Sequence, residues 1–200
     1  MPNLIVIAGC NGAGKSTFAS SFLPDRLTSF DYDKLYLEYY GILPDSEFRD
    51  KFARDKTTKD FEDAIKQSIA NKTDFCYETN FDTSPVYWPE QFKKHGFTLH
   101  LIFFCLDNQE IARRRVEERV EFKGHYVDSQ TIDFKWKAGY KNLNEHHTFF
   151  DNILLVDNSV QKEVYSNLLQ IEHGEIVMMV DKLPDYFKRR FPDIYTKIEQ

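Results

Sequence analysis

Short hydrophobic runs alternate along the chain with longer segments in which hydrophobic residues recur at helical spacing. The uninterrupted runs predict buried strands of a parallel sheet, because such strands are covered on both faces. We place strands at 4–8, 27–30, 75–77, 97–106 and 153–156. We expect helices at 15–23, 33–40, 45–71 with a break near 55–58, 85–95, 109–122 and 129–147. This alternation predicts an α/β fold, with helices on both faces of a parallel sheet of about five strands.

The end of the chain follows a different pattern. Two short runs, 166–172 and 175–180, flank His173-Gly174 and predict a hairpin, and 184–191 predicts a last short helix. We therefore expect a core over 1–160 with a helical lid around 107–147. We expect 161–200 to form a C-terminal appendage that packs on the core and covers an edge of the sheet.

Composition narrows the class of protein. The chain has 200 residues, of which 42% are hydrophobic and 29% are charged, so it can bury a core of its own. Its net charge of −6 makes a nucleic-acid partner unfavourable. Three widely spaced cysteines without a CxxC pair favour the reducing cytoplasm over zinc or disulfides. The longest hydrophobic run, 101–106, is far shorter than the roughly 20 residues of a membrane span, so we expect a soluble protein.

The segment after the first strand carries the clearest chemistry. Residues 9–16, GCNGAGKS, fit the phosphate-loop pattern G-x-x-x-x-G-K-[ST] between a strand and a helix. Lys15 is expected to reach the β- and γ-phosphates, and the Ser16 hydroxyl to bind Mg²⁺. The pattern predicts a P-loop NTPase fold that binds ATP with Mg²⁺. The predicted nucleotide-binding residues are Gly9, Asn11, Gly12, Ala13, Gly14, Lys15, Ser16 and Thr17.

Other positions separate the P-loop classes. The chain lacks an NKxD guanine-reading motif and an LSGGQ-like stretch, which favours a small-molecule kinase over a GTPase or a transport ATPase. Asp33 follows the second predicted strand, at the sheet edge where such folds bind ligands, and is placed to accept the proton of an attacking hydroxyl. The alternative role for Asp33 is to cap the helix that begins at Lys34, which Asp31 can equally supply.

Two further sets of polar residues are candidates for the site. Glu78-Thr79-Asn80 ends the third predicted strand and suits a magnesium-shell or substrate-binding role, or is an ordinary polar strand end. Arg115 and Arg119 share one face of their helix and can clamp a transferring phosphate. The alternative for these arginines is a surface helix stabilised by ion pairs with the neighbouring glutamates.

Five segments together resemble the zeta-toxin family of P-loop kinases, over about residues 3–160. They are GCNGAGKST at 9–17, DYD at 31–33, YETN at 77–80, RRVEERVEFKGHYV at 114–127 and DNS at 157–159, and the last fits a compact branch labelled predicted ABC-type ATPase. The resemblance implies transfer of the ATP γ-phosphate to the 3′-hydroxyl of UDP-N-acetylglucosamine. It also implies an antitoxin partner that blocks the ATP site.

The resemblance assigns roles residue by residue. It implies nucleotide and magnesium binding by Lys15 and Ser16, catalysis by Asp33 and Arg119, and substrate binding by Glu62, Glu78, Thr79, Lys135 and His125. The family's second lid arginine has no clear counterpart, and Arg115 is the catalytic candidate that helix spacing supplies. Two positions depart from the family pattern: Glu78-Thr79 lacks the intervening glycine, and Lys135 stands where compact members have arginine. Lysine cannot form the two-pronged contact with phosphate that arginine forms.

Two alternatives to a sugar-nucleotide kinase are open at this point. One is another P-loop kinase with the same core, acting on a nucleoside, a nucleic-acid end or an antibiotic. The other is an ATP-binding regulatory partner without kinase activity, for which the aromatic C-terminal tail would be a docking surface.

Overall fold

A computed structural model describes residues 1–121, 127–160 and 165–199. Four of its strands are parallel: β1 (Asn3–Ala8), β2 (Phe75–Thr79), β3 (Thr98–Cys105) and β4 (Asn152–Asp157). They lie in the order β2-β1-β3-β4, which places β1 inside the sheet. The predicted α/β class is confirmed.

The predicted hairpin extends this sheet. Strands β5 (Ser166–Glu172) and β6 (Glu175–Met179) are antiparallel, and β5 pairs with β4. His173 and Gly174 turn the chain with φ angles of 48° and 87°, the left-handed pair that a tight type I′ hairpin turn requires. The described residues therefore form a six-stranded sheet, in which the hairpin covers the edge of β4.

Helices connect and cover the strands. They are α1 (Lys15–Phe18), α2 (Tyr32–Ile42), α3 (Arg49–Asn71), α4 (Tyr87–Lys94), α5 (Gln109–Glu121), α6 (Ser129–His146), α7 (Phe187–Arg190) and α8 (Pro192–Ile198). The short α1 continues as a 3₁₀ helix, Ala19–Phe22, and a second 3₁₀ helix, His147–Phe149, follows α6. The sequence did not predict α8 as a separate helix.

Two predictions of local structure are wrong. The break expected near 55–58 is absent, because α3 runs through it with Ala53 and Thr57 fully buried and the Thr57 hydroxyl donating to the Ala53 carbonyl at 2.8 Å. The strand expected at 27–30 is reduced to one bridge, between Phe30 and Tyr77. It stops there because the next residue, Asp31, already caps α2.

Hydrophobic layers cover both faces of the sheet, since alternate residues of each strand point to opposite sides. One layer contains Phe103 together with Phe187 and Phe191 of the C-terminal tail, and the other contains Phe104 and Ile132. The parallel strands all end at one edge, so the segments that follow β1, β2 and β3 come together there.

Candidate active site

A cleft of about 950 Å³ opens at the carboxyl ends of β1 and β2. Its walls are the loop after β1, the first turn of α2, the end of β2 and one face of α5. It brings together most of the site residues predicted from sequence. These are Asn11, Gly12, Gly14, Lys15, Ser16, Thr17, Asp33, Glu78, Thr79, Arg115 and Arg119.

The glycines of the phosphate loop are required by close packing. Gly14 has a φ of 97°, and a Cβ there would lie 2.3 Å from the Asn158 side-chain nitrogen. Gly12 has a φ of 79°, and a Cβ there would lie 2.6 Å from the Ala112 carbonyl oxygen. Asn158 is buried and donates to the Ala13 carbonyl at 2.8 Å. The end of β4 and helix α5 therefore hold the loop from two sides.

Lys15 lies across the mouth of this loop. Its ammonium donates to the carbonyls of Gly9 at 2.7 Å and Cys10 at 3.2 Å, and to the Asn80 side-chain oxygen at 3.4 Å. Burial lowers the pKa of Lys15, and the negative groups around it, Glu78 among them, oppose that shift. The ammonium is thus held against the first two carbonyls of the loop and the end of β2.

Two carboxylates meet at the Ser16 hydroxyl. The Ser16 Oγ lies 2.6 Å from Glu78 Oε2 and 3.0 Å from Asp31 Oδ2, and it donates its single proton to one of them at a time. Ser29 donates to the other Glu78 oxygen at 2.9 Å. Burial raises the pKa of Glu78, the Asp31 charge adds to this, and the two serine hydrogen bonds oppose it. One hydroxyl and two carboxylates form a set of hard oxygen ligands of the kind that suits Mg²⁺.

From the sequence, Asp31 was given only a capping role, but its carboxylate makes two separate contacts. Its Oδ1 accepts from the Lys34 backbone at the start of α2, at 3.0 Å, while its Oδ2 faces Ser16. Asp33 is the second residue of the same helix, lies on the cleft wall and does not cap the helix. The alternative that made Asp33 the cap is therefore wrong.

Helix α5 presents two kinds of arginine on different faces. Arg115 and Arg119 line the cleft, and Arg115 donates to the carbonyls of Gly12 and Val160, both at 3.4 Å. Arg113 instead donates to Asp133 of α6, with Nε 3.0 Å from Oδ1. Arg114 pairs with Glu118 at 3.8 Å. The arginines that line the cleft thus differ from Arg113 and Arg114, although Glu118, the partner of Arg114, also lines the cleft.

The remaining predicted residues lie elsewhere. Gly9 and Ala13 belong to the loop but do not line the cleft. Neither Glu62 nor Lys135 is among the described residues that line it, and Glu62 lies 3.8 Å from Lys66 on α3. His125 lies outside the described residues.

The cleft also contains residues that the sequence reasoning missed. Asp82, Thr83 and Ser84 follow β2 and add polar groups, while Phe61 and Trp88 supply an aromatic wall. The DNS segment at 157–159 was the one available signal for Asn158. Nothing in the local sequence pointed to the aromatic wall, because it joins residues of α3 and α4.

A phosphate loop after an inner strand of a parallel sheet, with carboxylates and arginines around one cleft, defines a P-loop phosphotransferase. The family model described as Zeta toxin matches residues 1–170. The chain belongs to the zeta toxin family, and the resemblance noted in its motifs is confirmed.

The chain is also similar to one curated protein and to several solved structures. An uncharacterised protein of Haemophilus influenzae is 26% identical over 132 residues, which cover 66% of this chain and 91% of that protein. A structure of the PezAT chromosomal toxin-antitoxin system of Streptococcus pneumoniae shares the fold, with a TM-score of 0.65, 15% identity and coverage of 100% of this chain and 86% of that one.

Two longer proteins share the fold as well. A complex of AvrRxo1-ORF1 and AvrRxo1-ORF2 with ATP gives a TM-score of 0.64 at 13% identity, covering 99% of this chain and 63% of that one. A Pnkp1/Rnl/Hen1 RNA repair complex gives 0.56 at 21% identity, covering 72% and 46%. The chain therefore spans less than two thirds of the length of each of these two proteins.

Among the described residues, none of the helices has the length and hydrophobicity of a membrane span. No group of three or more His, Cys, Asp or Glu there is arranged to hold a metal ion by itself. Mg²⁺ in kinases is typically held by one or two carboxylates together with the substrate phosphates, so the Ser16 constellation fits that mode.

Proposed function

We propose that this chain is a kinase that transfers the γ-phosphate of ATP to a hydroxyl of a small acceptor. The observation that carries the proposal is the meeting of Ser16, Asp31 and Glu78 at the phosphate loop, with Asp33 on the same cleft. This arrangement supplies a phosphate site, oxygen ligands for a divalent cation and a free carboxylate for an acceptor. A binding protein needs only the first of these.

The nucleotide end of the cleft is formed by the loop and Lys15. The loop offers backbone N–H groups to the phosphates, and the Lys15 ammonium turns from its carbonyl partners to the β- and γ-phosphates. Ser16, Asp31 and Glu78 would hold Mg²⁺, which when bound neutralises phosphate charge. The fold shared with the AvrRxo1 complex with ATP supports ATP as the phosphate donor.

The acceptor end is formed by the start of α2 and the end of β2. Asp33 takes the proton of the acceptor hydroxyl while the oxygen of that hydroxyl bonds to the γ-phosphorus. The bond from the γ-phosphorus to the ADP oxygen breaks in the same step. We assign Thr79, which lines the cleft, to the acceptor, and we assign Glu78 to both ends, since it lies between Ser16 and Thr79. Arg115 and Arg119 contribute positive charge from α5 on the opposite wall.

Membership in the family suggests UDP-N-acetylglucosamine as the first acceptor to test. The relationship to the PezAT toxin-antitoxin system suggests an antitoxin protein as a partner. We also propose a cytoplasmic location, which the three free, buried cysteines support. The proposal gives Glu62 and Lys135 no contact in the cleft as it stands, and their role in substrate binding, like that of His125, stays a prediction.

A transfer assay with γ-³²P-ATP and Mg²⁺ tests this function. The acceptors are UDP-N-acetylglucosamine, other UDP-sugars, nucleosides, an aminoglycoside and short oligonucleotides. We expect label on UDP-N-acetylglucosamine, lost in Lys15→Met and kept in Lys59→Met, whose side chain is exposed on α3. Label on a different acceptor would keep the kinase and refute the sugar nucleotide. ATP binding without label on any acceptor would contradict the kinase and favour a binding role.

A further inference from the structure

The C-terminal tail reaches the segment from which α5 begins. Arg190, the last residue of α7, lies beyond the part of the chain that the family model matches. Its Nη1 donates to the Leu106 carbonyl at 2.5 Å, and its Nη2 donates to the Asp107 carbonyl. One guanidinium thus binds two successive carbonyls between β3 and α5.

Three aromatic rings hold this guanidinium in place. Its central carbon lies 4.3 Å from the ring centre of Trp136, 4.4 Å from that of Tyr186 and 5.0 Å from that of Tyr140. Such cation–π contacts fix the orientation of the planar guanidinium and stabilise its positive charge. A lysine in this position could bind one carbonyl but could not bind both with the fixed geometry of a guanidinium.

The segment that Arg190 binds is connected to the phosphate loop. Tyr140 makes two hydrogen bonds to Leu106: its hydroxyl donates to the Leu106 carbonyl at 2.9 Å and accepts from the Leu106 N–H at 2.7 Å. The Asp107 N–H donates to the Ser159 hydroxyl at 2.7 Å. Ser159 follows Asn158, which holds the loop through the Ala13 carbonyl. The tail, the start of α5 and the loop are therefore connected through hydrogen bonds and the Asn158–Ser159 peptide bond.

Helix α5 connects the segment that Arg190 binds to the cleft. Asn108 caps it by accepting from the Ile111 N–H at 3.1 Å, and Arg115 and Arg119 lie about two and three turns beyond that cap. A rigid helix displaced at its first residue moves every side chain further along. The position of Leu106 and Asp107 therefore sets where both cleft arginines stand.

We propose that Arg190 is a positioning residue, which fixes the start of α5 and through it the placement of Arg115 and Arg119 over the transferring phosphate. This inference rests on the proposed kinase function for its catalytic consequence. The structural part of the inference is that Arg190 fixes residues 106–113. This part does not depend on the kinase function and has its own test.

The kinetic test compares Arg190→Lys with Arg189→Lys, an exposed neighbour on the same helix. We expect Arg190→Lys to lower kcat by about 10- to 100-fold while KM for ATP changes little, because misplaced groups affect the transition state most. We expect Arg189→Lys to match the wild type. An unchanged kcat in Arg190→Lys would overturn the proposal.

A double-mutant cycle separates positioning from general stability. If Arg190 acts through Arg119, then Arg119→Ala costs much less kcat in the Arg190→Lys background than in the wild type. If the two losses multiply independently in both Arg119→Ala and Arg115→Ala backgrounds, Arg190 does not act through the cleft arginines and the proposal fails.

Hydrogen–deuterium exchange tests the structural half without any activity. We expect faster exchange at 106–113 in Arg190→Lys, with β1 and β2 unchanged. Unchanged exchange at 106–113 would overturn the proposal, and so would faster exchange throughout the sheet, since that reports global destabilisation. If the wild type transfers no phosphate at all, the proposed function fails and this exchange result alone decides whether Arg190 fixes α5.

Discussion

Glu78 illustrates at the residue scale how a functional carboxylate affects stability. It is half-buried beside Asp31 and Ser16, and burial raises its pKa above the ordinary glutamate value. The folded protein therefore binds this proton more tightly than the unfolded chain. Stability that depends on Glu78 is present below the unfolded pKa and decreases as pH rises through the folded pKa.

Replacing this carboxylate should remove that pH dependence. We expect Glu78→Gln to raise the melting temperature relative to wild type more at pH 8 than at pH 4, while ATP-dependent activity falls. Differential scanning fluorimetry across this range measures the effect, with Glu47→Gln as an exposed control. If the melting temperature of Glu78→Gln differs from that of the wild type by the same amount at both pH values, the account of Glu78 is contradicted.

Single residues were predictable from the sequence where their neighbours along the chain define them. Lys15 and Ser16 follow from one contiguous pattern. Asp31 and Asn158 each stand in a segment that resembles the family, but their contacts are long-range. Asp31 contacts Ser16, 15 positions away, and Asn158 contacts Ala13, 145 positions away, so no local pattern reveals these contacts. Asp33 was placed on the correct edge of the sheet because the strand-to-helix boundary was nearly right.

The phosphate loop shows at the element scale how distant parts of the chain shape one short segment. Its conformation depends on α5, through Ala112, and on the end of β4, through Asn158. The periodic pattern predicted most of the helices, because burial of one face repeats along them. It failed at 55–58 because Thr57 is polar yet fully buried, and at 27–30 because only Phe30 reaches β2.

A methyl group in the loop should disrupt this packing. We expect Gly14→Ala to weaken ATP binding by about 1–3 kcal/mol, since φ is 97° and Asn158 must move. Isothermal titration measures the affinity. The matched control is Gly41→Ala in α2, where a Cβ meets nothing within 4 Å and ATP affinity should not change. Equal ATP affinity in the Gly14 and Gly41 variants would contradict the role of the loop packing.

At the scale of the whole molecule, the C-terminal tail is part of the main hydrophobic core. Phe187, Phe191 and Ile194 are fully buried there, and the hairpin covers the edge of β4. The sequence indicated the hairpin and its covering role. It did not indicate how deeply α7 and α8 pack, because two short helices with few residues give no clear periodicity.

Truncating one tail residue should therefore destabilise the whole molecule. We expect Phe191→Ala to lower the free energy of unfolding by about 3–5 kcal/mol through the cavity it leaves. Urea unfolding measures this, with Phe134→Ala as the control, because Phe134 is 60% exposed. A loss for Phe191→Ala no greater than that for Phe134→Ala would show that the tail does not stabilise the core.

The most direct test of the proposed kinase is the effect of Asp33→Asn on transfer and on binding together. Asp31 caps α2, so this variant should fold, and Asp25→Asn is an exposed control. With the acceptor found in the assay, we predict that Asp33→Asn keeps ATP affinity and lowers kcat for transfer by about 10²–10⁴-fold, the usual contribution of a general base. Transfer by Asp33→Asn at the wild-type rate would contradict the account.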